Sequence, residues 1–183
     1  KRDTTTVVSE DANLEDQQSV LFFNNNDVVL TSKSARQALA YAIEDKTFGH
    51  ERTISPINKS SWAYNNLVKT YDYDAERAKT LFAQDIKDPS SVKLELKTML
   101  QYLDIAEVIA ASWRETLGIQ VEVKVVSSVT SDYQVLLADF TPPLDPDQYT
   151  IWHSTQATNF THFSNLKIDK LLEDGRRTLD LKL

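Results

Sequence analysis

Two hydrophobic periods, of two residues and of about 3.6 residues, alternate along the chain and together predict an α/β fold. Residues 19–23 form a compact apolar run that ends at three Asn, which predicts a buried strand followed by a turn. Apolar positions then recur at helical spacing over residues 34–46. Residues 49–73 show neither period and are expected to form a long loop, after which Asp74 is placed to cap a short helix.

The middle of the chain predicts a strand, a helix and a second strand in succession. Apolar and charged residues alternate over residues 92–97 and again over residues 121–125, as in strands that have one face in water. Between them, the apolar positions of residues 105–117 follow the helical period, with Trp113 on the apolar face, and end at Gly118, which suits a left-handed helix cap. This spacing predicts a βαβ unit with parallel strands.

The next apolar run, residues 133–138, is continuous, as expected of a central strand that is covered on both faces. It ends at Asp139 and Phe140, and the three Pro that follow exclude regular strand pairing. In open parallel sheets ligands bind beyond the carboxyl ends of strands. The segment from Asp139 onward is therefore the first candidate for a binding site, and a last helix is predicted from Ile168.

Length and composition fit one globular domain or an unequal pair. The 183 residues are 41% hydrophobic and 26% charged, which supplies enough apolar side chains for a core. No apolar run reaches the ~20 residues of a membrane-spanning helix, and no secretory signal opens the chain. The net charge of −7, from 20 basic and 27 acidic residues, argues against a basic face, so no nucleic-acid partner is expected.

Residue counts also exclude several kinds of chemistry. The chain has no Cys, which removes disulfides, thiolate zinc sites and thiol nucleophiles. Its three Gly are too few for a Gly-rich dinucleotide turn or a phosphate-binding loop, and no cofactor is predicted. Because the chain begins at Lys1 rather than Met and stops at Leu183 within a predicted helix, we expect it to be part of a longer protein.

One alternative function is a small hydrolase or metal-dependent enzyme, since Asp139, Asp145 and His153 lie within a short interval of sequence. Turn and capping roles compete with that chemistry, because Asp145 precedes a Pro and either Asp145 or Asp147 can start a short helix through Trp152. No nucleophile elbow supports a Ser-His-Asp arrangement. The turn role is therefore favoured for Asp145, and no catalytic residue or metal ligand is assigned.

Aromatic residues in the predicted loops and the turns beside them are candidate walls of a binding cleft. They are Trp62, Tyr64, Phe140, Tyr149, Trp152, Phe160 and Phe163. Flat rings of this kind either anchor a core or line a cleft, and from the residues alone both roles stay open. Exposed rings would also suit a second alternative function, a protein-interaction module without a small-molecule site.

Five stretches of the chain, taken in order, match a known family. They are ARQALAYAIEDKTF (residues 35–48), SPINKSSWAYN (55–65), YDYDAERAKTLF (71–82), AASWRETLGIQVEVK (110–124) and DPDQYTIWHSTQATNFTHFSNLKIDKLLEDGRRTLD (145–180). Together they resemble the solute-binding proteins of peptide-type ABC importers, the extracellular family 5 or cluster C group of oligopeptide, dipeptide and nickel binders. The resemblance covers about residues 19–183.

This resemblance implies a type II periplasmic-binding-protein-like α/β lobe, with a mixed, mostly parallel sheet flanked by helices. Residues 19–183 would form the second lobe of a two-lobed receptor, and residues 1–18 a polar lead-in or edge segment. The first lobe would lie before Lys1 and after Leu183. The implied function is to bind an oligopeptide or a related small solute, to close on it by a hinge and to deliver it to a membrane permease.

The resemblance also implies partners and location. The partners would be the peptide or other small solute and the permease subunits of an ABC transporter. The protein would be extracytoplasmic, either periplasmic or at the cell surface, and would associate with the membrane only through an anchor in the full-length protein. A receptor of this kind releases its ligand unchanged, so no enzymatic activity is expected.

Two departures from the family bear on the ligand. The loop between residues 48 and 55 is shorter than in family members. In the peptide binders of the family, an Asp binds the terminal ammonium of the peptide, and the matching position here is Pro142, three residues after Asp139. The peptide specificity of close relatives is therefore not assigned to this chain. We expect the ligand side to be lined by Asp139, Phe140, Trp152, His153 and Asn159, with Trp62 as an outer candidate.

Overall fold

The computed structural model describes residues 17–178, which form a four-stranded sheet flanked by helices. In chain order the strands are β1 (Gln18–Phe23), β2 (Lys93–Thr98), β3 (Gln120–Val125) and β4 (Val135–Phe140). The helices are α1 (Lys33–Ala42), α2 (Ala75–Asp85), α3 (Leu103–Leu117), α4 (Tyr149–Trp152) and α5 (Leu166–Arg177). Two short 3₁₀ turns, Pro89–Ser91 and Leu100–Tyr102, flank β2. The residues between α1 and α2 form the predicted long loop.

The order of strands across the sheet is β1-β4-β2-β3. Strand β2 runs parallel to both neighbours, with Leu96 opposite Val123 on one side and Val135 on the other. Strand β1 runs antiparallel to β4. The prediction of a mixed, mostly parallel sheet is confirmed, and β2, α3 and β3 form the predicted βαβ unit with Gly118 as the left-handed cap at φ 69°.

The main core lies between one face of the sheet and helices α1, α2 and α3. Alternate positions of β2 and β4 point into it, as the period of two predicts, and include Leu94, Leu96, Val135 and Leu137. Trp113 of α3 is fully buried, and its indole Nε1 donates a hydrogen bond to the backbone oxygen of Leu39, 2.9 Å away. The predicted apolar face of α3 is thereby confirmed.

The opposite face of the sheet is charged on one half and apolar on the other. On β2 and β3, the carboxylate of Glu95 lies 3.4 Å from the ammonium nitrogen of Lys97 and 3.3 Å from that of Lys124. On β1 and β4, the same face presents a small buried cluster made of Phe22, Tyr133, Leu136 and Ala138. The apolar half lies beneath α4 and the segment after it, and it contains the candidate site.

Helix α1 ends at Ala42, four residues before the predicted end. Its C-terminal cap, Ile43, is extended, with φ −82° and ψ 117°, and buries its side chain in the core. The ammonium of Lys46 then donates to the Ile43 backbone oxygen at 2.5 Å, and the carboxylate of Asp45 accepts from the backbone nitrogen of Thr47 at 2.7 Å. These local bonds form a turn in place of a further turn of helix.

Helix α4 begins at Tyr149, later than the predicted start at Asp145 or Asp147. Both carboxylates instead accept a hydrogen bond, at 3.0 Å, from the backbone nitrogen two residues ahead, and so form two successive Asx turns. The turn role favoured for Asp145 is confirmed.

The chain ends bear on two further predictions. Helix α5 begins at Leu166, two residues before the predicted start, because the side chain of Asn165 caps it. The predicted lead-in falls mostly on residues 1–16, which lie outside the described residues. The last helix was expected to continue to the chain end at Leu183, but α5 ends at Arg177, where Thr178 is an extended cap with φ −90° and ψ 123°. Residues 179–183 also lie outside the described residues. Gln18, predicted to belong to the lead-in, is the first residue of β1. Within residues 17–178, none of the helices has the length and apolar character needed to cross a membrane.

Candidate functional site

Two cavities meet at the carboxyl end of β4, where Phe140 and Trp152 line both of them. The smaller, called the apolar cavity here, has a volume of about 340 Å³ and lies on the sheet face that presents Leu136 and Ala138. The larger, called the groove, has a volume of about 740 Å³ and runs along β1 beside the loop that follows α1. The carboxyl end of a parallel strand is the usual place for ligands in open α/β sheets.

The alternation of side chains along two paired strands builds the floor of the apolar cavity. Leu136, Ala138 and Phe140 of β4 point to one face, and Phe22 of β1 lies opposite Leu136 in the strand register. The rings of Phe22 and Phe140 meet edge to face, with centroids 6.3 Å apart and planes at 73°. This packing fixes the orientation of both rings, so the floor is a preformed apolar surface.

Asp139 lies between Ala138 and Phe140 at the end of β4, and the alternation along the strand points its carboxylate to the other face of the sheet, on the side of the groove. The hydroxyl of Tyr102 donates a hydrogen bond to one of its oxygens, and the side-chain amide of Gln101 donates to the other at 3.4 Å. Burial, followed by the hydrogen bond to Asp139, raises the pKa of Tyr102 above its ordinary value. Tyr102 therefore keeps its proton near neutral pH and remains a donor to the carboxylate.

The charge of Asp139 lacks a cationic partner within residues 17–178, where no Lys, Arg or His forms an ion pair with it. Its two neutral donors hold the carboxylate in place without neutralising it. A half-buried carboxylate held in this way offers a favourable position for a cationic group of a ligand.

The groove is more polar than the apolar cavity and is bordered by basic side chains. Lys46 is half-buried there, and burial, followed by the nearby charge of Arg52, lowers its pKa to about 8. Arg52 pairs with Asp72 at 2.6 Å, and the ammonium of Lys69 lies 4.6 Å from the centre of the Tyr71 ring. Arg52 and Lys69 are thus each engaged by a protein group at the border of the groove.

Two of the predicted ligand-side residues are buried in the wall behind the apolar cavity and line neither cavity. His153 is 5% exposed, and its ring stacks on Tyr149 with centroids 4.3 Å apart. Asn159 is 4% exposed; its amide donates to the backbone oxygen of Phe163 at 2.7 Å, and its side-chain oxygen accepts from the hydroxyl of Thr161 at 2.9 Å. Both residues hold the segment that forms the wall rather than facing its cavity side.

Trp62 also lies away from both cavities. It is 72% exposed in the long loop between α1 and α2 and lines neither the apolar cavity nor the groove. Of the six predicted residues, the structure thus brings Asp139, Phe140 and Trp152 together at one site. Trp152 is held there by its indole nitrogen, which donates to the side-chain oxygen of Gln148 at 3.0 Å.

Three residues of the site were not predicted: Gln101 and Tyr102, which donate hydrogen bonds to Asp139, and Val129 at the rim of the apolar cavity. Phe160, one of the aromatic residues predicted as candidate cleft walls, also lines this cavity. The sequence order could have indicated Tyr102, because this residue follows β2. The carboxyl end of β2 lies at the same edge of the sheet as the carboxyl end of β4, to which β2 is parallel. Val129 lies in an irregular segment without a period, so no pattern placed it near the site.

The side chains proposed for a metal site have separate partners. Asp139 accepts from Tyr102, Asp145 accepts from a backbone nitrogen, and the Nε2 atom of His153 lies 3.4 Å from a carboxylate oxygen of Glu173. Among residues 17–178, no group of three or more His, Cys, Asp or Glu side chains is arranged to hold a metal ion. The geometry therefore does not assemble the constellation on which the enzyme alternative depends.

Comparison with known proteins identifies the family. The family described as bacterial extracellular solute-binding proteins, family 5 Middle, matches residues 3–162 of this chain. The oligopeptide-binding protein AppA of Bacillus subtilis is 25% identical over 195 residues, which cover 87% of this chain and 36% of that protein.

Solved structures show the same fold. The ABC transporter substrate-binding protein CtaP of Listeria monocytogenes superposes with a TM-score of 0.80 at 27% identity, covering 92% of this chain and 39% of CtaP. AppA of Bacillus subtilis, in complex with a nonapeptide, gives 0.77 at 22% identity, covering 92% of this chain and 42% of AppA. NikZ of Campylobacter jejuni, in complex with Ni(L-His), gives 0.74 at 23%, covering 93% and 43%. The chain thus spans about two fifths of the relatives that it matches, and the expected type II periplasmic-binding-protein-like α/β lobe is confirmed.

Proposed function

Because this chain belongs to the bacterial extracellular solute-binding proteins of family 5, we propose that it is the ligand-binding lobe of an ABC-transporter receptor for oligopeptides. One observation supports this ligand class above others: at the carboxyl end of β4 the Asp139 carboxylate, which has no cationic partner among the described residues, is next in sequence to Phe140, whose ring lines both the apolar cavity and the groove. A peptide offers both complementary groups, a cationic amino terminus and apolar side chains.

The names of similar proteins support the same ligand class. AppA is named an oligopeptide-binding protein, and its structure holds a nonapeptide. NikZ holds Ni(L-His), so nickel chelates are also bound within this fold. For the present chain the peptide is favoured, since the cavity is lined by aromatic and aliphatic side chains rather than by a cluster of nitrogen and oxygen ligands in residues 17–178.

The proposed mechanism is reversible closure over a bound peptide. The site lies at one edge of the lobe, and a second lobe that closed over this edge would remove water from Asp139 and strengthen its hydrogen bonds to the ligand. The family is extracellular by description. Delivery of the peptide to a membrane permease, and an anchor in the full-length protein, belong to the same proposal.

The test is calorimetric binding of pentaalanine to the protein expressed from its complete gene. Asp139→Asn keeps an oxygen that can accept from Tyr102 but removes the charge, and we expect it to weaken binding by tenfold or more. Asp132→Asn is the matched control, because its carboxylate is almost fully exposed and precedes the amino end of β4, at the opposite end of the strand. Equal affinities of the two variants for pentaalanine would contradict the role of Asp139. If neither pentaalanine nor peptides of other compositions release heat on titration, no peptide binds, and the ligand class is contradicted.

A further inference from the structure

We propose that the outer edge of β3 pairs antiparallel with β3 of a second copy of this chain, and that α3 packs beside its counterpart across the same two-fold axis. The pairing would join the two sheets into one continuous sheet. It goes beyond the proposed function and does not obstruct it, because β3 and β1 are the opposite edges of the sheet and the groove runs along β1.

The backbone of β3 is paired on one side only within residues 17–178. Gln120 and Val126, at the two ends of the strand, donate from their backbone nitrogens toward β2 at 2.9 Å, so the even-numbered residues of β3 face β2. Backbone groups alternate sides along a strand. The N–H and C=O groups that point away from the sheet are therefore those of Val121, Val123 and Val125.

Arg114 of α3 covers part of this edge. Its guanidinium donates to the Val121 backbone oxygen, from Nε at 3.1 Å and from Nη2 at 2.6 Å. A backbone oxygen has two lone pairs, so the Val121 oxygen can still accept from another strand. The outward groups of Val123 and Val125 have no hydrogen-bond partner in the part of the chain that the structure describes. A further strand would supply those partners.

The charges of β3 select one register of self-pairing. When Val123 lies opposite Val123 of the second copy, Glu122 of each copy lies opposite Lys124 of the other. A shift of the two-fold axis by one residue would instead place Glu122 opposite Glu122, or Lys124 opposite Lys124. Opposite charges that face each other across an antiparallel pair stabilise it, and like charges destabilise it. Charged side chains often protect an edge from pairing, but their order here makes this edge complementary to itself.

The other face of β3 gains an apolar contact in the same register. Val125 is 44% exposed, at the end of the strand. In the proposed pairing it lies opposite Val121 of the second copy, which is buried at 7% exposure. Cross-strand pairs of β-branched side chains contribute to the stability of a sheet, so the exposed Val125 side chain would become part of the interface.

Helix α3 adds a second complementary layer. It packs on both β2 and β3, so the two-fold axis sets the two α3 helices side by side and antiparallel. Arg114 reaches the β3 edge and so marks the side of α3 that faces the second copy, and Glu107 lies on that side, 3.7 Å from the Arg114 guanidinium. Both side chains are about half exposed. Because the helices run in opposite directions, Glu107 of each copy comes level with Arg114 of the other, and the pair can form between the copies.

The experiment measures the molar mass of the protein expressed from its complete gene, by light scattering over a range of concentrations. The original chain should form a dimer whose fraction rises with concentration. Glu122→Lys and Lys124→Glu should each weaken dimerisation at least tenfold, because each places like charges opposite one another. An equimolar mixture of the two variants should dimerise again, since every facing pair then has opposite charges. Lys79→Glu makes the same charge change at an exposed position of α2 and should dimerise like the original chain.

Val123→Pro is a second test that does not depend on charge. It removes an outward N–H at the centre of the pairing and leaves the hydrogen bonds with β2 in place, since Pro is tolerated on an edge strand where its nitrogen faces outward. We expect loss of the dimer, with pentaalanine affinity within threefold of the original. If Val123→Pro does not fold, the mixture of charge variants decides.

Three results would overturn the interface. They are a chain that is monomeric at every concentration, a dimer that survives folded Val123→Pro, and charge variants that dimerise as well alone as in their mixture. Each of these results leaves the proposed function in place, because pentaalanine binding is measured separately and its site lies at the other side of the sheet.

Discussion

The hydroxyl of Tyr102 donates a hydrogen bond to a carboxylate oxygen of Asp139 and so joins the ends of two parallel strands. Tyr102 closes the 3₁₀ turn after β2, and Asp139 is the penultimate residue of β4. The bond is made outside the sheet's own hydrogen-bond ladder, at the edge where the apolar cavity and the groove meet. It therefore positions the Asp139 charge without adding to the core.

This relationship predicts that Tyr102→Phe weakens ligand binding while the fold is retained. The variant keeps the ring but leaves Asp139 with the longer bond from Gln101 alone, so the carboxylate becomes more mobile. We expect a three- to tenfold loss of pentaalanine affinity by calorimetry and an unchanged far-UV circular dichroism spectrum. Tyr73→Phe is the control, since Tyr73 is 47% exposed and lines neither cavity. A Tyr102→Phe affinity equal to that of the control would show that the bond does not position the carboxylate.

The buried Trp113 predicts a large effect on stability. Trp113→Phe would leave unfilled space in the main core and remove the donor to the Leu39 backbone oxygen, which lies in α1. Together these losses should lower the free energy of unfolding by about 2–4 kcal/mol. Trp62→Phe makes the same substitution at a 72% exposed position and should change it by less than ~0.5 kcal/mol. Urea unfolding followed by circular dichroism measures both, and equal destabilisation would contradict the placement of either Trp.

The depressed pKa of Lys46 predicts a stability that depends on alkaline pH. Burial and the charge of Arg52 lower the pKa of Lys46 from 10.5 to about 8 in the folded chain. Between pH 8 and 10.5 the unfolded chain therefore binds the proton more tightly than the folded chain, so the contribution of Lys46 to stability rises with pH in this window and is constant below it.

Comparison with Lys46→Met isolates this contribution from those of other groups. The difference in free energy of unfolding between the original chain and Lys46→Met should shift in favour of the original chain from pH 7.5 to pH 9.5. Lys79→Met, at an exposed lysine of α2, is the control and should give a difference that is flat over the same range. Urea unfolding at three pH values measures these differences in the free energy of unfolding. If the difference for Lys46→Met does not change with pH, the pKa of Lys46 is not lowered.

Sequence periodicity predicted the sheet and the main helices because each of those elements has one face against the core. The alternation over residues 92–97 and the helical spacing that ends at Gly118 led directly to β2, α3 and their parallel partner β3. The resemblance to family 5 was confirmed by the match over residues 3–162. The end of α1 was predicted wrongly because the side chains of Lys46 and Asp45 bond to nearby backbone groups. These bonds form a turn in place of further helix, and the hydrophobic period does not indicate them.

The candidate site was predicted only in part, for a related reason. Asp139 and Phe140 follow a strand directly, so the topology alone places them at the ligand edge. His153 and Asn159 lie in an irregular segment, where exposure depends on which side-chain bonds close the turns. Their hydrogen bonds draw them inward and leave Ile151 and Phe160 to face the cavity. The sequence shows that His153 and Asn159 can form hydrogen bonds, but it does not show which partners they bind and therefore whether they are buried.

The contact between Asp169 and Ser154 predicts that α5 controls the wall of the apolar cavity. Asp169 is 7% exposed, and its two oxygens accept from the backbone nitrogen of Ser154 at 2.9 Å and from its hydroxyl at 2.7 Å. These bonds lower the pKa of Asp169 and tie α5 to the residue that follows α4 and His153. Without them, α4 would be held less firmly over the sheet.

Asp169→Ala should therefore lower the melting temperature and, because Trp152 lines both cavities and shifts with α4, weaken pentaalanine binding several-fold. Hydrogen–deuterium exchange should speed up across residues 149–161 while β2 and α3 stay protected. Asp174→Ala is the matched control on the same helix, since it removes only a partly exposed pair with Lys170. If Asp169→Ala and Asp174→Ala bind pentaalanine equally well, or if exchange in residues 149–161 is unchanged in Asp169→Ala, α5 does not position the wall, and the shape of the cavity depends on the sheet alone.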